Sequence, residues 1–143
     1  MTKLVLAADH GGFELKEIIK KFLAELGGYA VKDIGAYSAE SVDYPEYGHK
    51  AAAAVASGQA ERGIIFCGTG IGISIAANKT AGIRAANCVS EYMAEMSRSH
   101  NDANILALGG RIVEPELAKK IVKIWLDTPF AGGRHERRVK QIG

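Results

Sequence analysis

Apolar residues in this chain fall into short unbroken runs that alternate with stretches of helical spacing. Lys3 to Ala8 is a strand-like run, after which Leu15, Ile18, Ile19, Phe22, Leu23 and Leu26 recur three or four apart until Gly27-Gly28 stops them. Tyr29 to Ile34 is a weaker strand. Asp43-Tyr44-Pro45-Glu46 predicts a helix start, with Asp43 as cap and Glu46 three residues on, and the alanine-rich helix ends near Gly58. Gly63 to Cys67 is a third strand, with a helix to about Lys79 and Gly82 as its stop. Ile83 to Cys88 predicts a fourth strand, followed by a helix through Met93 and Met96, and Ile105 to Leu108 a fifth. In the last helix, Pro115 to Leu126, the residues Leu117, Ile121, Val122, Ile124 and Trp125 share one side, and Thr128-Pro129 ends it.

Five short apolar strands separated by helices predict an α/β fold with a parallel sheet covered on both faces, because parallel strands need crossovers and the crossover helices pack on the sheet. Ligands of such sheets gather at the carboxyl ends of the strands. That rule selects Asp9-His10-Gly11-Gly12 after the first strand, Cys67 to Gly72 after the third and Gly109-Gly110-Arg111 after the fifth, with His100-Asn101 on the approach to the fifth. All are expected to face one cleft.

With 143 residues, 48% of them apolar and 24% charged, the chain predicts a single domain over 1–143. No stretch approaches the roughly 18 apolar residues of a membrane span, and the expected location is the cytoplasm, with no membrane partner. Two cysteines, Cys67 and Cys88, make neither a disulfide framework nor a zinc-ligand spacing. Asn78-Lys79-Thr80 fits a glycosylation acceptor by chance of letters. The net charge is +2, of which Arg134 to Gly143 contributes +3, leaving the rest at −1. A basic tail on a near-neutral body argues for a local anion site or partner contact and against a nucleic-acid surface.

Cys67 carries the most specific chemistry. It closes a strand and opens the turn Gly68-Thr69-Gly70-Ile71-Gly72 before a helix, where free N–H groups favour a thiolate and can also hold an anion. The turn is not a nucleotide loop: a dinucleotide fingerprint needs glycine where Ile73 stands, and a nucleotide-hydrolase loop needs Gly-Lys-Ser/Thr where Asn78-Lys79-Thr80 stands. A cysteine phosphatase would need arginine where Ile73 stands.

Six ordered blocks resemble the type B ribose-5-phosphate isomerases and their relatives acting on allose and galactose 6-phosphates. They are Asp9-His10-Gly11-Gly12, Val42-Asp43-Tyr44-Pro45, Cys67 to Gly72, His100-Asn101-Asp102-Ala103-Asn104, Gly109-Gly110-Arg111 and Gly132-Gly133-Arg134-His135-Glu136-Arg137-Arg138. The resemblance implies a three-layer α/β/α sandwich with a Rossmann-like five-stranded parallel sheet, and a sugar-phosphate substrate of the pentose phosphate pathway. It further implies a homodimer, extendable to a dimer of dimers, with active sites at the subunit interface, and no metal or other cofactor. Which subunit supplies which residue stays open.

The same resemblance implies roles. Cys67 is the base of an aldose–ketose isomerisation, with Thr69 beside it, and amides of Gly68, Gly70, Ile71 and Gly72 stabilise the enediolate oxygen. His100 opens the sugar ring, and Asp9 and Asn101 bind hydroxyls. Arg134 and Arg138 hold the phosphate, supported by Arg111, His10 and His135. Asp43 is either a proton shuttle or only a helix cap. Bland readings stand beside these: Cys88 as inert packing, His49 as surface, and the tail arginines, Arg137 among them, as a solvated helix face. Two other functions compete with isomerisation of a five-carbon or six-carbon sugar phosphate. One is a non-catalytic phosphosugar-binding domain; the other is a thiol redox enzyme using Cys88, 21 residues from Cys67.

Overall fold

The computed structural model describes residues 1–143. Strands β1 (Thr2–Ala8), β2 (Tyr29–Asp33), β3 (Arg62–Cys67), β4 (Ala85–Asn87) and β5 (Ile105–Gly109) alternate with helices α1 (Phe13–Leu26), α2 (Tyr44–Ala56), α3 (Ile71–Ala77), α4 (Glu91–Ser99) and α5 (Pro115–Asp127). A final helix, α6 (Arg134–Ile142), carries the basic tail. The strands form one parallel sheet in the order β2-β1-β3-β5-β4.

Two cores follow from the alternation of side chains along each strand. Leu4, Leu6 and Ala8 of β1, with Ile64 and Phe66 of β3 and Leu106 and Leu108 of β5, face α1, α4 and α5. Val5, Ala7, Ile65, Cys67, Ile105 and Ala107 face α2 and α3 on the other side. Both faces are buried, which is why the strands read as continuous apolar runs rather than alternating ones. The predicted apolar side of α1 packs as expected at Leu15, Ile19 and Leu23, and Ile121, Val122 and Trp125 of α5 are fully buried. The expected three-layer α/β/α architecture is the observed one.

The fourth strand is shorter than predicted because Asn104 intervenes at its start. Its Oδ1 accepts from Arg84 N–H at 2.8 Å while the Arg84 carbonyl receives the N–H groups of Asn104 and Ile105, which bends the chain before β4 begins. Asn78 clasps the next residue, exchanging two bonds with the Ala85 backbone, and this ends α3 sooner than predicted.

Candidate active site

The chain reverses its lateral direction between β1 and β3, and the loops after these strands meet there. They are packed to backbone contact. A Cβ on Gly11 would lie 3.0 Å from the Gly68 nitrogen, and one on Gly110 would lie 2.5 Å from the Gly11 carbonyl oxygen. Gly110 N–H donates to the Cys67 carbonyl at 2.8 Å and Arg111 N–H to that of Gly68 at 2.9 Å, so three loops form one rigid surface.

Cys67 ends β3 and is buried. Its Sγ accepts a hydrogen bond from Gly70 N–H at 3.1 Å, a geometry made possible by the left-handed conformation of Gly70 (φ 79°). Because α3 is only seven residues long, this directed amide serves the thiol more than a helix terminus does. Ile71 N–H donates to Thr69 Oγ1 at 3.2 Å. Two of the amides expected to cradle an enediolate, those of Gly70 and Ile71, are thus engaged within the turn, and Gly68 and Gly72 are the candidates left for a substrate oxygen.

The neighbouring residues converge on this turn. Asp9 is buried and its Oδ1 accepts from Gly12 N–H at 3.1 Å. His10 Nδ1 accepts from Val42 N–H at 3.1 Å, which assigns the neutral ring's proton to Nε2 and ties the segment before α2 to the first loop. Arg111 lies over Gly68, where a Cβ would come 2.8 Å from its Nη1, and the Tyr44 ring covers Gly72. Asp43 corrects the predicted capping box: it occupies the cap position of α2, but its side chain makes no capping bond. Pro45, second in the helix, has no N–H to give, and the Asp43 carboxylate is exposed beside Tyr44.

The expectation of one cleft fails within a single chain. His100, Asn101, Arg134, His135 and Arg138 lie at the amino end of the sheet, opposite Cys67. The reason is topological, since α4 runs back from the carboxyl end of β4 and delivers His100 to the start of β5. Asn101 accepts at its carbonyl from Arg84, which precedes β4, and the Ser99 carbonyl accepts from Ala131 N–H at 3.0 Å, bringing the tail to the same end. There His100 and His135 stack, ring centroids 4.1 Å apart. Strand geometry of about 3.3 Å per residue puts the two groups of candidates at least roughly 13 Å apart.

Electrostatics distinguish the groups. Partial burial of its ring, with His100, Arg134 and Arg138 beside it, lowers the His135 pKa below the ordinary imidazole value. Burial raises that of the Cys88 thiol, only partly offset by a bond from Ser97, which suits an inert core residue. His49 is exposed, as expected. No group of three or more His, Cys, Asp and Glu side chains is arranged to hold a metal ion.

Two residues outside the sequence motifs also contribute. Arg98 is buried and donates to Asp102, to the Ala103 carbonyl and to the Thr128 carbonyl, fixing the ends of α4 and α5 that carry His100 and the tail. Asn87, the last residue of β4, donates from Nδ2 to the Thr69 carbonyl at 3.3 Å. The rule of strand carboxyl ends selects Asn87 once β4 is given its true end.

Beside the Cys67 turn the surface is apolar. Ile71 and Ile75 on the outer side of α3 are 55% and 56% exposed, and Val89, Tyr92, Met93 and Ile112 are also exposed. No helix is long and apolar enough to cross a membrane.

Residues 4–142 match the family described as Ribose/Galactose Isomerase. The chain belongs to this family. Ribose-5-phosphate isomerase B of Escherichia coli (strain K12) is 52% identical over 142 residues, 99% of this chain and 95% of that protein. D-erythrulose-4-phosphate isomerase of Pectobacterium atrosepticum is 40% identical, over 100% of this chain and 94% of that one. Among solved structures, Clostridium thermocellum ribose-5-phosphate isomerase B matches with a TM-score of 0.98 at 58% identity, covering 99% and 95% of the two chains. The Trypanosoma brucei type B enzyme matches at 0.95 and 46% identity, covering 99% and 97%.

Proposed function

We propose that this protein interconverts ribose 5-phosphate and ribulose 5-phosphate in the cytoplasm through an enediolate, without a metal or other cofactor. The observation that carries the reading is the Cys67 thiol, held by Gly70 N–H in a turn flanked by Asp9 and Arg111. In the open-chain aldose, the Cys67 thiolate takes the C2 proton. The enediolate that results is then protonated at C1, while the hydroxyl proton moves from O2 to O1. No bond to sulfur forms. Asp43, uncapped and exposed, is the group offered for the transfer between oxygens, and amides of Gly68 and Gly72 face the developing charge.

Ring opening and phosphate binding fall to His100, Asn101, Arg134, His135 and Arg138, and a second copy of the chain supplies them. In an isologous dimer each surface meets its own copy, so a twofold axis across α3 pairs these helices antiparallel and sets the carboxyl end of one sheet beside the amino end of the other. The exposed apolar face of α3 is what such an interface covers. Two identical composite sites result, and the dimer is the smallest active form.

Turnover of ribose 5-phosphate in D2O tests the proposal. Solvent deuterium enters the sugar at carbon, and Cys67→Ala lowers kcat by at least about 100-fold with little change in phosphosugar affinity. Undiminished turnover by that variant would remove Cys67 as the base. No turnover by the parent protein on ribose, allose or galactose phosphates would favour a binding domain.

A further inference from the structure

A peptide group is a rigid plane, so fixing its carbonyl also fixes the direction of its N–H. The peptide between Thr69 and Gly70 is held at both ends: its carbonyl accepts from Asn87 Nδ2 at 3.3 Å, and its N–H donates to Cys67 Sγ at 3.1 Å. The Asn87 amide has one workable orientation, because only its nitrogen can face the Thr69 carbonyl. Its Oδ1 then lies against Gly70, where a Cβ would come within 2.4 Å of it. On the other side the plane rests on Gly109, where a Cβ would stand 2.6 Å from the Thr69 carbonyl carbon. Asn87 Oδ1 is buried and has no hydrogen-bond partner. A half-buried asparagine that leaves its buried oxygen unpaired yet spends its donor on this carbonyl is costly unless the orientation matters.

We infer that Asn87 is a positioning residue for the reaction: by gripping the Thr69 carbonyl it aims the Gly70 N–H at Cys67 Sγ and so stabilises the thiolate. The hydrogen bond at the carbonyl also polarises the peptide and strengthens the N–H as a donor. Asn87 makes no hydrogen bond to the thiol, and its effect runs through the Thr69–Gly70 peptide. The inference rests on Cys67 acting as the base, but the hold on the turn is measurable without turnover.

The test is the rate of Cys67 alkylation by iodoacetamide as a function of pH, followed on the Cys67 peptide by mass spectrometry, in Asn87→Ala and Asn87→Leu. Loss of one hydrogen bond predicts a rate about fivefold lower at neutral pH and a profile displaced upward by roughly 0.7 pH units. The kcat falls by a similar factor and KM stays within about twofold. In a Cys67→Ala background the Asn87 substitutions have no further effect on residual turnover. A wild-type alkylation profile in either folded variant would overturn the assignment, as would failure of both variants to fold, which would make Asn87 a structural residue. A displaced profile with unchanged kcat would leave the hold intact and remove Cys67 as the base.

Discussion

The imidazoles of His100 and His135 stack with their planes 13° from parallel, at the end of the sheet opposite the Cys67 thiol. Two rings at this distance are compatible while at least one is neutral. The lowered His135 pKa is consistent with that: burial of the ring, then His100 and the arginines of α6, oppose its protonation.

His135 should therefore titrate below 6.5, the ordinary imidazole value, in an NMR titration of its ring proton. Because the folded midpoint lies below the unfolded one, the unfolded chain binds this proton first. The contribution of the neutral ring to stability is complete above pH about 6.5 and declines as the pH falls below it. Arg134→Gln and Arg138→Gln each move the midpoint upward, since each removes a neighbouring positive charge. A midpoint unmoved by either change would show that the arginines do not act on the ring.

Lys16 and Asp33 form a second anchor, beneath the first loop. Lys16 is fully buried, its Nζ 2.6 Å from Asp33 Oδ2, and Lys20 reaches the same oxygen at 2.8 Å. The other carboxylate oxygen accepts from Gly35 N–H at 3.0 Å, and residues 34–36 continue along β1 as far as Ala8. Burial alone would raise the Asp33 pKa, but the two ammonium groups and the Gly35 amide outweigh it and hold the pKa below the usual carboxylate value. Asp33→Asn strands a buried ammonium and should cost about 3 kcal/mol at pH 7 in denaturant unfolding. A depressed carboxylate stabilises above its unfolded pKa and loses that effect as the pH falls through the folded one. The gap between Asp33→Asn and the parent should therefore close below pH 3.8.

Two glycines of the site should respond differently to the same methyl group. Gly110→Ala sets a Cβ 2.5 Å from the backbone oxygen of Gly11, so the junction of two loops must move. It should destabilise the fold by about 1–3 kcal/mol and reduce kcat. Gly68→Ala meets the tip of the Arg111 side chain at 2.8 Å, which can swing away. Its stability should stay within about 0.5 kcal/mol of the parent, with the effect confined to KM. Thermal unfolding with steady-state kinetics on both variants separates the cases.

The sheet and its helices were legible because their signals are local. Leu15, Ile19 and Leu23 mark one side of α1, and Gly27-Gly28 marks its end. The Cys67 turn was legible because a glycine loop after a strand is a local pattern with one geometric use. What the sequence withheld depends on distance through space. Lys16 and Asp33 are seventeen residues apart, and nothing in their spacing announces a buried pair. Asp43 carried a helix-start pattern in which Pro45 lacks the N–H a cap could have used. His100 precedes β5 and so belongs to the amino end of the sheet; proximity in sequence to a strand does not specify which end of it a residue meets.

In the proposed dimer, Cys67 and His100 of one active site come from different chains. Mixing Cys67→Ala with His100→Ala, each retaining only residual turnover alone, and allowing the subunits to exchange tests this arrangement directly. Half of the dimers in an equal mixture then pair the two variants, and each such dimer carries one site with both residues intact. The mixture should recover about a quarter of wild-type turnover. No recovery, with subunit exchange confirmed by mass spectrometry, would contradict the account and place both residues of a site in one chain.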